Sequence, residues 1–363
     1  MEYTLRSLGS FSEMKYGKMP NKKMSSDKGK YPIFSGYRVV GYCDECNIGE
    51  QQLVVVARGV GGTGDVKLSP GACFLTNLSI AVLVDESVAL KKYLYYYFLK
   101  NNLSYLDSGS AQSQITIGDL KNVEVPLPSI ETQKKVVSIL GVIDEKINNN
   151  VAINDNLLQQ AQALFKSWFV DFEPFSNQKP SDWSVSTLGN VSIMGAGGDK
   201  PQNVSPIKSN LCQYPIYSNG LSEEGLYGFT DKPKIFKESV TVSARGTIGF
   251  VCLRHIPYVP IVRLVTLIPK TEIISAKYLY LWLKQLHITG TGTTQQQLTV
   301  PDFRKTEILV PSQEIVTLFT ATVEPIFKKI WANQNENEKL SSLRDTLLPK
   351  LMSGELDVSD IDL

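Results

Sequence analysis

The hydrophobic pattern along this chain switches between two periods, and then the whole pattern recurs. The stretches "QLVVVARG" (52–59), "VTVSARG" (240–246), "GFVCL" (249–253) and "RLVTLIP" (263–269) are short, rich in β-branched residues and bounded by Gly or Pro, which predicts strands. "ALKKYLYYYFLKNN" (89–102) and "SAKYLYLWLKQL" (275–286) place apolar residues at three- and four-residue steps, which predicts amphipathic helices. Proline stops follow at Pro126, Pro128 and Pro311, and beyond them lie two much longer helical stripes. In the first stripe Leu140, Ile143, Ile147, Val151, Asn154, Leu158, Ala161 and Phe165 share one face. In the second, Leu318, Val323, Ile326, Ile330, Asn337, Leu340, Leu343 and Leu347 do the same. Ser129 and Ser312 are suited to cap the two N-termini, with Glu131 and Glu314 in the first turns. Pro325 is expected to interrupt the second stripe.

Order and wording both repeat. "YPIFSG" (31–36) returns as "YPIYSNG" (214–220), "ARGVGGTGDV" (57–66) as "SARGTIGFV" (243–251), and "SAQSQITIGDLKNVEVPLPS" (110–129) as "TTQQQLTVPDFRKTEILVPS" (293–312). From that block onward the offset is constant, so Ile147 falls opposite Ile330 and Leu157 opposite Leu340. The chain therefore reads as a tandem α/β (α+β) repeat. Its parts are a globular module at 1–129, a long helix at 130–169, a linker at 170–184, a second module at 185–312, a second long helix at 313–353 and an acidic tail at 354–363. A helix of that length reaches about 50 Å and is apolar on one face only, so each needs a partner, and the other helix is the obvious one. An antiparallel coiled coil would relate the modules by a pseudo-twofold axis. Asn154 and Asn337, at matching places in the stripes, would fix its register.

Composition adds limits. At 42% hydrophobic and 20% charged, the chain belongs with ordinary globular proteins. No apolar run approaches a membrane span and the N-terminus has no signal-peptide core, so the expectation is a cytoplasmic protein with no membrane association. A net charge of +1 is low for a nucleic-acid binder, but Arg6, Lys15, Lys18, Lys22, Lys23, Lys28, Lys30 and Arg38 crowd the first 40 residues. Cys43 and Cys46 form a C-x-x-C without a second ligand pair, and the second copy has Thr230 where the first has Cys43, so no metal site is expected.

Catalytic chemistry is hard to assemble from these residues. "GVGGTG" (59–64) satisfies the dinucleotide fingerprint, with Asp85 further on. However, "DVKLSPGACFL" after it does not read as a helix, and the second copy keeps only Arg245, Gly246 and Gly249. Asp65 stands where a phosphate-binding P-loop needs Lys, and His255 and His287 lie in unrelated contexts. We expect no catalytic residues and no bound cofactor. Two other readings stay open at this point: a nucleotide-binding enzyme using the glycine turn, and a repeat scaffold that binds protein only.

What the copies share is a polar loop, "SGSAQSQIT" (108–116) and "TGTTQQQLT" (291–299), and an arginine before a glycine after a strand. Arg and Gln side chains can contact base edges, and hydroxyls and backbone N–H groups can take phosphates. The candidates for DNA contact are Lys18, Lys22, Lys23, Arg58, Gly59, Ser110, Gln112, Ser113, Gln114 and Thr116 in the first copy. In the second they are Arg245, Gly246, Thr294, Gln295, Gln296, Gln297 and Thr299.

These blocks, together with "KYGKMP" (15–20), "NDNLLQQAQALFKSWFVDFEP" (154–174) and "LLPKLMSGEL" (347–356), resemble the specificity subunits of type I restriction–modification systems over essentially the whole chain. The resemblance implies a non-catalytic subunit with two target-recognition domains, each reading one half of a bipartite sequence in double-stranded DNA. The helices would set the gap and hold two methyltransferase subunits, which use S-adenosylmethionine. Restriction subunits, with ATP and Mg, are optional further partners. The two modules diverge around "MGAGGDKPQNVSPIKSN" (194–210), so the two half-sites should differ.

Overall fold

The structure, a computed structural model, describes residues 2–21, 29–59, 62–107, 114–290 and 297–358. The chain forms two compact units, Met1–Asn150 with Asn335–Leu363, and Val151–Gln334.

In the first unit the module comprises β1 (Thr4–Ser7), β2 (Ser12–Tyr16), β3 (Tyr31–Phe34), β4 (Val39–Cys43), β5 (Leu53–Val56), β6 (Val66–Leu68), β7 (Phe74–Leu75), β8 (Ser79–Val84), α1 (Lys91–Lys100), α2 (Ile117–Lys121) and β9 (Glu124–Leu127). They make a four-stranded sheet in the order β2-β8-β5-β6, a three-stranded sheet β4-β3-β7 and a two-stranded pair β1-β9. The run "LVVV" of β5 is buried along its whole length because it lies inside the larger sheet. α1 covers that sheet with Tyr93, Leu94, Tyr96 and Phe98. Burying each of these side chains contributes on the order of 2 kcal/mol.

The first long helix is α3 (Ile130–Phe169), capped by the Ser129 hydroxyl, which accepts from Thr132 N–H at 3.2 Å. The second unit repeats the module as β10 (Ser184–Thr187), α4 (Leu188–Val191), β11 (Ser192–Ala196), β12 (Tyr214–Tyr217), β13 (Leu226–Thr230), β14 (Ser239–Val242), β15 (Val251–Arg254), β16 (Val259–Pro260), β17 (Val265–Pro269), α5 (Ala276–Gln285), α6 (Val300–Phe303) and β18 (Glu307–Val310). Its sheets run β11-β17-β14-β15, β13-β12-β16 and β10-β18, the same layout strand for strand. Even the parallel pair with its neighbouring register shift recurs, β3 with β7 and β12 with β16. Duplication is thus a property of the fold as well as of the wording.

The second long helix, α7 (Gln313–Ser353), passes through Pro325 without a break, contrary to the expected interruption. Proline's fixed φ is itself helical, so the helix loses one hydrogen bond, to the carbonyl four residues back, and continues. Within the first unit α3 and α7 run antiparallel: Asp144 meets Arg344 at 3.1 Å, and Asn150 meets Asn337 at 2.8 Å. Within the second unit Asn154 meets Asn333 at 2.8 Å, again antiparallel. The asparagine pairs, each with one buried member, are therefore Asn150–Asn337 and Asn154–Asn333, rather than Asn154 with Asn337.

Each unit has one main core. In the first, Val136 and Leu140 of α3 and Leu348, Leu351 and Met352 of α7 join the sheet and α1. Part of the segment read as an acidic tail belongs to this core, because Val358 is buried and Leu356 N–H donates to Lys350 O. In the second, the "LFKSWF" end of α3 supplies Phe165 and Phe169, which pack on Tyr278, Phe319 and Trp183. Among the described residues no helix is long and apolar enough to cross a membrane, and no cluster of His, Cys, Asp and Glu could hold a metal.

Candidate nucleic-acid interface

The duplicated arginines sit at the same place in the two modules, just beyond the exit of an inner strand. In the first module Ala57 N–H and Arg58 N–H both donate to Leu78 O, at 2.9 and 3.1 Å, which ties the exit of β5 to the turn before β8. Lys18 joins that turn through its backbone: its N–H donates to Leu75 O, and Asn77 N–H donates to Lys18 O. Gln114 returns from the polar loop as an isolated bridge partner of Arg58, and Ile115 N–H donates to Ala57 O at 3.0 Å. Lys18, Arg58 and Gln114 are therefore brought to one edge, with the Lys18 side chain exposed.

The second module builds the same edge. Leu298 N–H donates to Ala244 O at 3.0 Å, the counterpart of the Ile115–Ala57 bond. Gln297 then lies beside Arg245, whose Nη2 donates to Gln297 Oε1 at 3.2 Å. A cavity of about 260 Å³ opens beside Gln297 and Thr299.

The glycine turn plays a different part from a phosphate cradle. Gly59, Gly62 and Gly64 have φ of 139°, 91° and 92°, a region that favours glycine. A Cβ on Gly64 would stand 2.4 Å from the backbone of Ser104, so the turn is shaped by close packing. The strand β6 follows it, leaving no helix N-terminus to receive a pyrophosphate.

Thr116 and Thr299 are engaged elsewhere. Each caps a short helix, accepting from Asp119 N–H and Asp302 N–H at 3.2 and 3.3 Å, while its own hydroxyl donates to the same aspartate at 2.6 Å. Those bonds hold the Asp119 carboxyl below its usual pKa. Lys22, Lys23, Ser110, Gln112, Ser113, Thr294, Gln295 and Gln296 lie outside the described residues.

Two residues at these edges were not singled out from the sequence. Tyr37 donates its hydroxyl to Arg58 O at 3.1 Å and stands against Gly59 and Gly62. Burial, then the charge of Asp65, raises its phenol pKa. Asn219 bridges two chain segments, accepting from Ala244 N–H at 2.7 Å and donating to Val262 O at 2.6 Å. Val262 and Arg263 both have positive φ, 52° and 64°. For a β-branched residue that conformation is strained, and the Asn219 bond helps to hold it. The extra Asn that distinguishes "YPIYSNG" from "YPIFSG" was the available signal for Asn219.

Cys43 and Cys73 are buried, and burial pushes the Cys73 thiol up to about 11, far from a reactive thiolate.

Comparison with known proteins gives a consistent picture. The family described as type I restriction modification DNA specificity domain matches twice, at residues 1–159 and 180–342. The type I restriction enzyme MjaIX specificity subunit of Methanocaldococcus jannaschii is 29% identical over 79% of this chain and 74% of its own length. The HindI specificity subunit of Haemophilus influenzae is 27% identical over 75% of this chain and 79% of its own. In fold, the chain is similar to the crystal structure of the type I restriction–modification S subunit from M. genitalium. That likeness has a TM-score of 0.61 at 22% identity and covers 97% and 96% of the two chains. With both of its modules matched, each carrying the same sheets and the same arginine edge, the chain belongs to the type I restriction modification DNA specificity domain family.

Proposed function

We propose that this chain is the DNA sequence-specificity subunit of a type I restriction–modification complex, itself non-catalytic. Each module reads one half of a bipartite target in double-stranded DNA through the edge built on Arg58 or Arg245. The observation that carries this reading is the repeated edge: an arginine beyond an inner strand, whose preceding alanine is joined by a backbone bond to the end of a polar loop, in both copies. Arg58, Gly59, Gln114, Arg245, Gly246 and Gln297 are the described residues assigned to DNA from that edge. Ser110, Gln112, Ser113, Thr294, Gln295 and Gln296 belong to the loops that lead into it. Lys18, Lys22 and Lys23 are assigned to phosphates.

The long helices are the spacer between half-sites and the seat for two methyltransferase subunits. Helices of 40 and 41 residues extend about 60 Å, enough to span more than one turn of duplex, about 34 Å. Exposed apolar residues on them, Val142, Val151, Leu318 and Leu343, suit a protein partner. Near-neutral net charge fits a subunit whose partners share the phosphate contacts.

The test is binding selection. The chain, co-purified with its methyltransferase, is incubated with random-sequence duplexes and the retained pool is sequenced. A gapped motif with two unlike halves is expected. An assembled complex that enriches no motif would overturn the proposal in favour of a protein-only scaffold.

A further inference from the structure

Although the two arginines are equivalent in sequence, their surroundings differ. Arg58 is half-buried, and its Nε is buried with no hydrogen-bond partner among the described residues. The Tyr37 hydroxyl occupies the Arg58 carbonyl, and a Cβ on Gly59 would lie 2.4 Å from that hydroxyl. The buried Nε closes one two-donor side of the Arg58 guanidinium, and among the described residues no side-chain bond from Gln114 restrains the other. Arg245 is exposed, and a Cβ on Gly246 would meet nothing within 4 Å among the described residues.

The Gln297 bond takes one hydrogen of Arg245 Nη2 and restrains the side chain. A guanidinium has five N–H donors in a rigid fork, so among the described residues this arrangement leaves one complete two-donor side free. The base edge that presents two acceptors to such a fork is guanine in the major groove, through O6 and N7. A restrained fork loses less side-chain freedom on binding, and its fixed orientation favours the base edge whose acceptors match it.

We infer that Arg245 reads a guanine in the half-site of the second module and that Gln297 is its positioning residue, an arrangement the first module does not share. The inference rests on the DNA-specificity reading above and adds to it a base, a residue and an asymmetry between the modules. Gln297 is the partly buried end of the polar loop, fixed by the adjacent Leu298–Ala244 backbone bond, so its amide is delivered to Arg245 by the fold itself.

The experiment repeats the selection on random duplexes with the wild-type complex and with Arg245→Lys and Gln297→Ala. Arg245→Lys keeps the charge and removes the fork. It is expected to lower discrimination roughly tenfold or more at one guanine of one half-site, leaving the other half and the salt dependence unchanged. Gln297→Ala should weaken preference at that same position to a smaller extent, and Gln297→Glu, which keeps an acceptor, should restore most of it. A wild-type motif that Arg245→Lys and Gln297→Ala leave untouched at every position would overturn the inference and leave the specificity reading standing. Loss of binding to all sequences alike would also overturn it, by assigning Arg245 to a phosphate. Absence of any wild-type motif would remove the reading on which the inference rests.

Discussion

Asn150 of α3 donates through Nδ2 to Asn337 Oδ1 of α7 at 2.8 Å, and Asn337 Nδ2 in turn reaches Ile147 O at 3.3 Å. Asn150 is 1% exposed and also donates to Glu336, so both hydrogens of its amide nitrogen have acceptors on α7. Asn154 and Asn333 pair likewise in the second unit. By the repeat, Asn150 corresponds to Asn333 and Asn154 to Asn337. Each pair therefore joins one asparagine from each of two matching sets.

Removing one member should be worse than removing both. Asn150→Leu leaves the Asn337 and Glu336 side chains without this donor, at a cost of about 1–3 kcal/mol in urea unfolding. Asn150→Leu with Asn337→Leu is expected to recover much of that stability while giving up a unique helix register. Size-exclusion chromatography of the double variant should then show mixed species where the wild type gives one.

The aromatic end of α3 sustains the second core. Phe169 lies with its ring centroid 4.8 Å from that of Phe319 and 4.9 Å from that of Tyr278. Phe169→Ala is expected to cost about 3–5 kcal/mol. Limited proteolysis should show cleavage appearing first within Val151–Gln334, and equal susceptibility of both units would contradict this.

Lys277 is buried between Glu238 at 2.8 Å and Glu324 at 2.9 Å. Burial would raise the Glu324 carboxyl, but bonding to Lys277 outweighs it and the pKa is lowered. Lys277→Ala leaves Glu238 without this partner and Glu324 with Lys328 only, and about 1–3 kcal/mol of lost stability is expected. Lys305→Ala, which breaks an exposed 3.9 Å pair with Asp302, should cost under about 1 kcal/mol. Denaturant curves for the two variants give the comparison directly.

His255 stacks on Trp331 with ring centroids 4.2 Å apart. Desolvation, then the charges of Lys277 and Arg254, lowers its pKa from 6.5 to about 4. Because the folded value lies below the unfolded one, the unfolded chain takes up the proton first on acidification. Its contribution to stability is complete above pH 6.5 and is lost as pH falls from 6.5 towards about 4. In an NMR titration the His255 ring should remain neutral at pH 5.5, and Trp331→Ala should bring its midpoint back towards 6.5.

Lys18 is assigned to phosphate only. Lys18→Ala should weaken duplex binding evenly across sequences and reduce the slope of log K against log salt by about 1. A change in base preference would contradict that role.

The sequence was most legible where it repeats and where periodicity is local. β5, β17, α1 and α5 fall inside the stretches that read as strands and helices, and β14 and β15 overrun theirs by one residue each. The sheet order was hidden, because the pairing of β3 with β7 joins segments far apart in the chain. The asparagine pairing was half legible: the repeat identifies like positions, whereas an antiparallel pair brings unlike ones together. At the edges, Arg58 with Gln114 and Arg245 with Gln297 came together from separate segments already singled out. Thr116 and Thr299 look like phosphate ligands when read alone. The aspartate three residues after each is the signal for a helix cap. Tyr37 could not be seen, because its role depends on where the glycine turn folds back.

The bonds that close the two polar loops, Ile115 to Ala57 and Leu298 to Ala244, are made by backbone atoms alone. Substitutions inside the loops leave these closures in place, so the loops are free to diversify while the sheets stay as they are. Under the proposed function, in which these loops contact DNA, selection can search new target sequences by point mutation without putting folding at risk, and a lineage can acquire a new DNA address faster than it acquires a new protein.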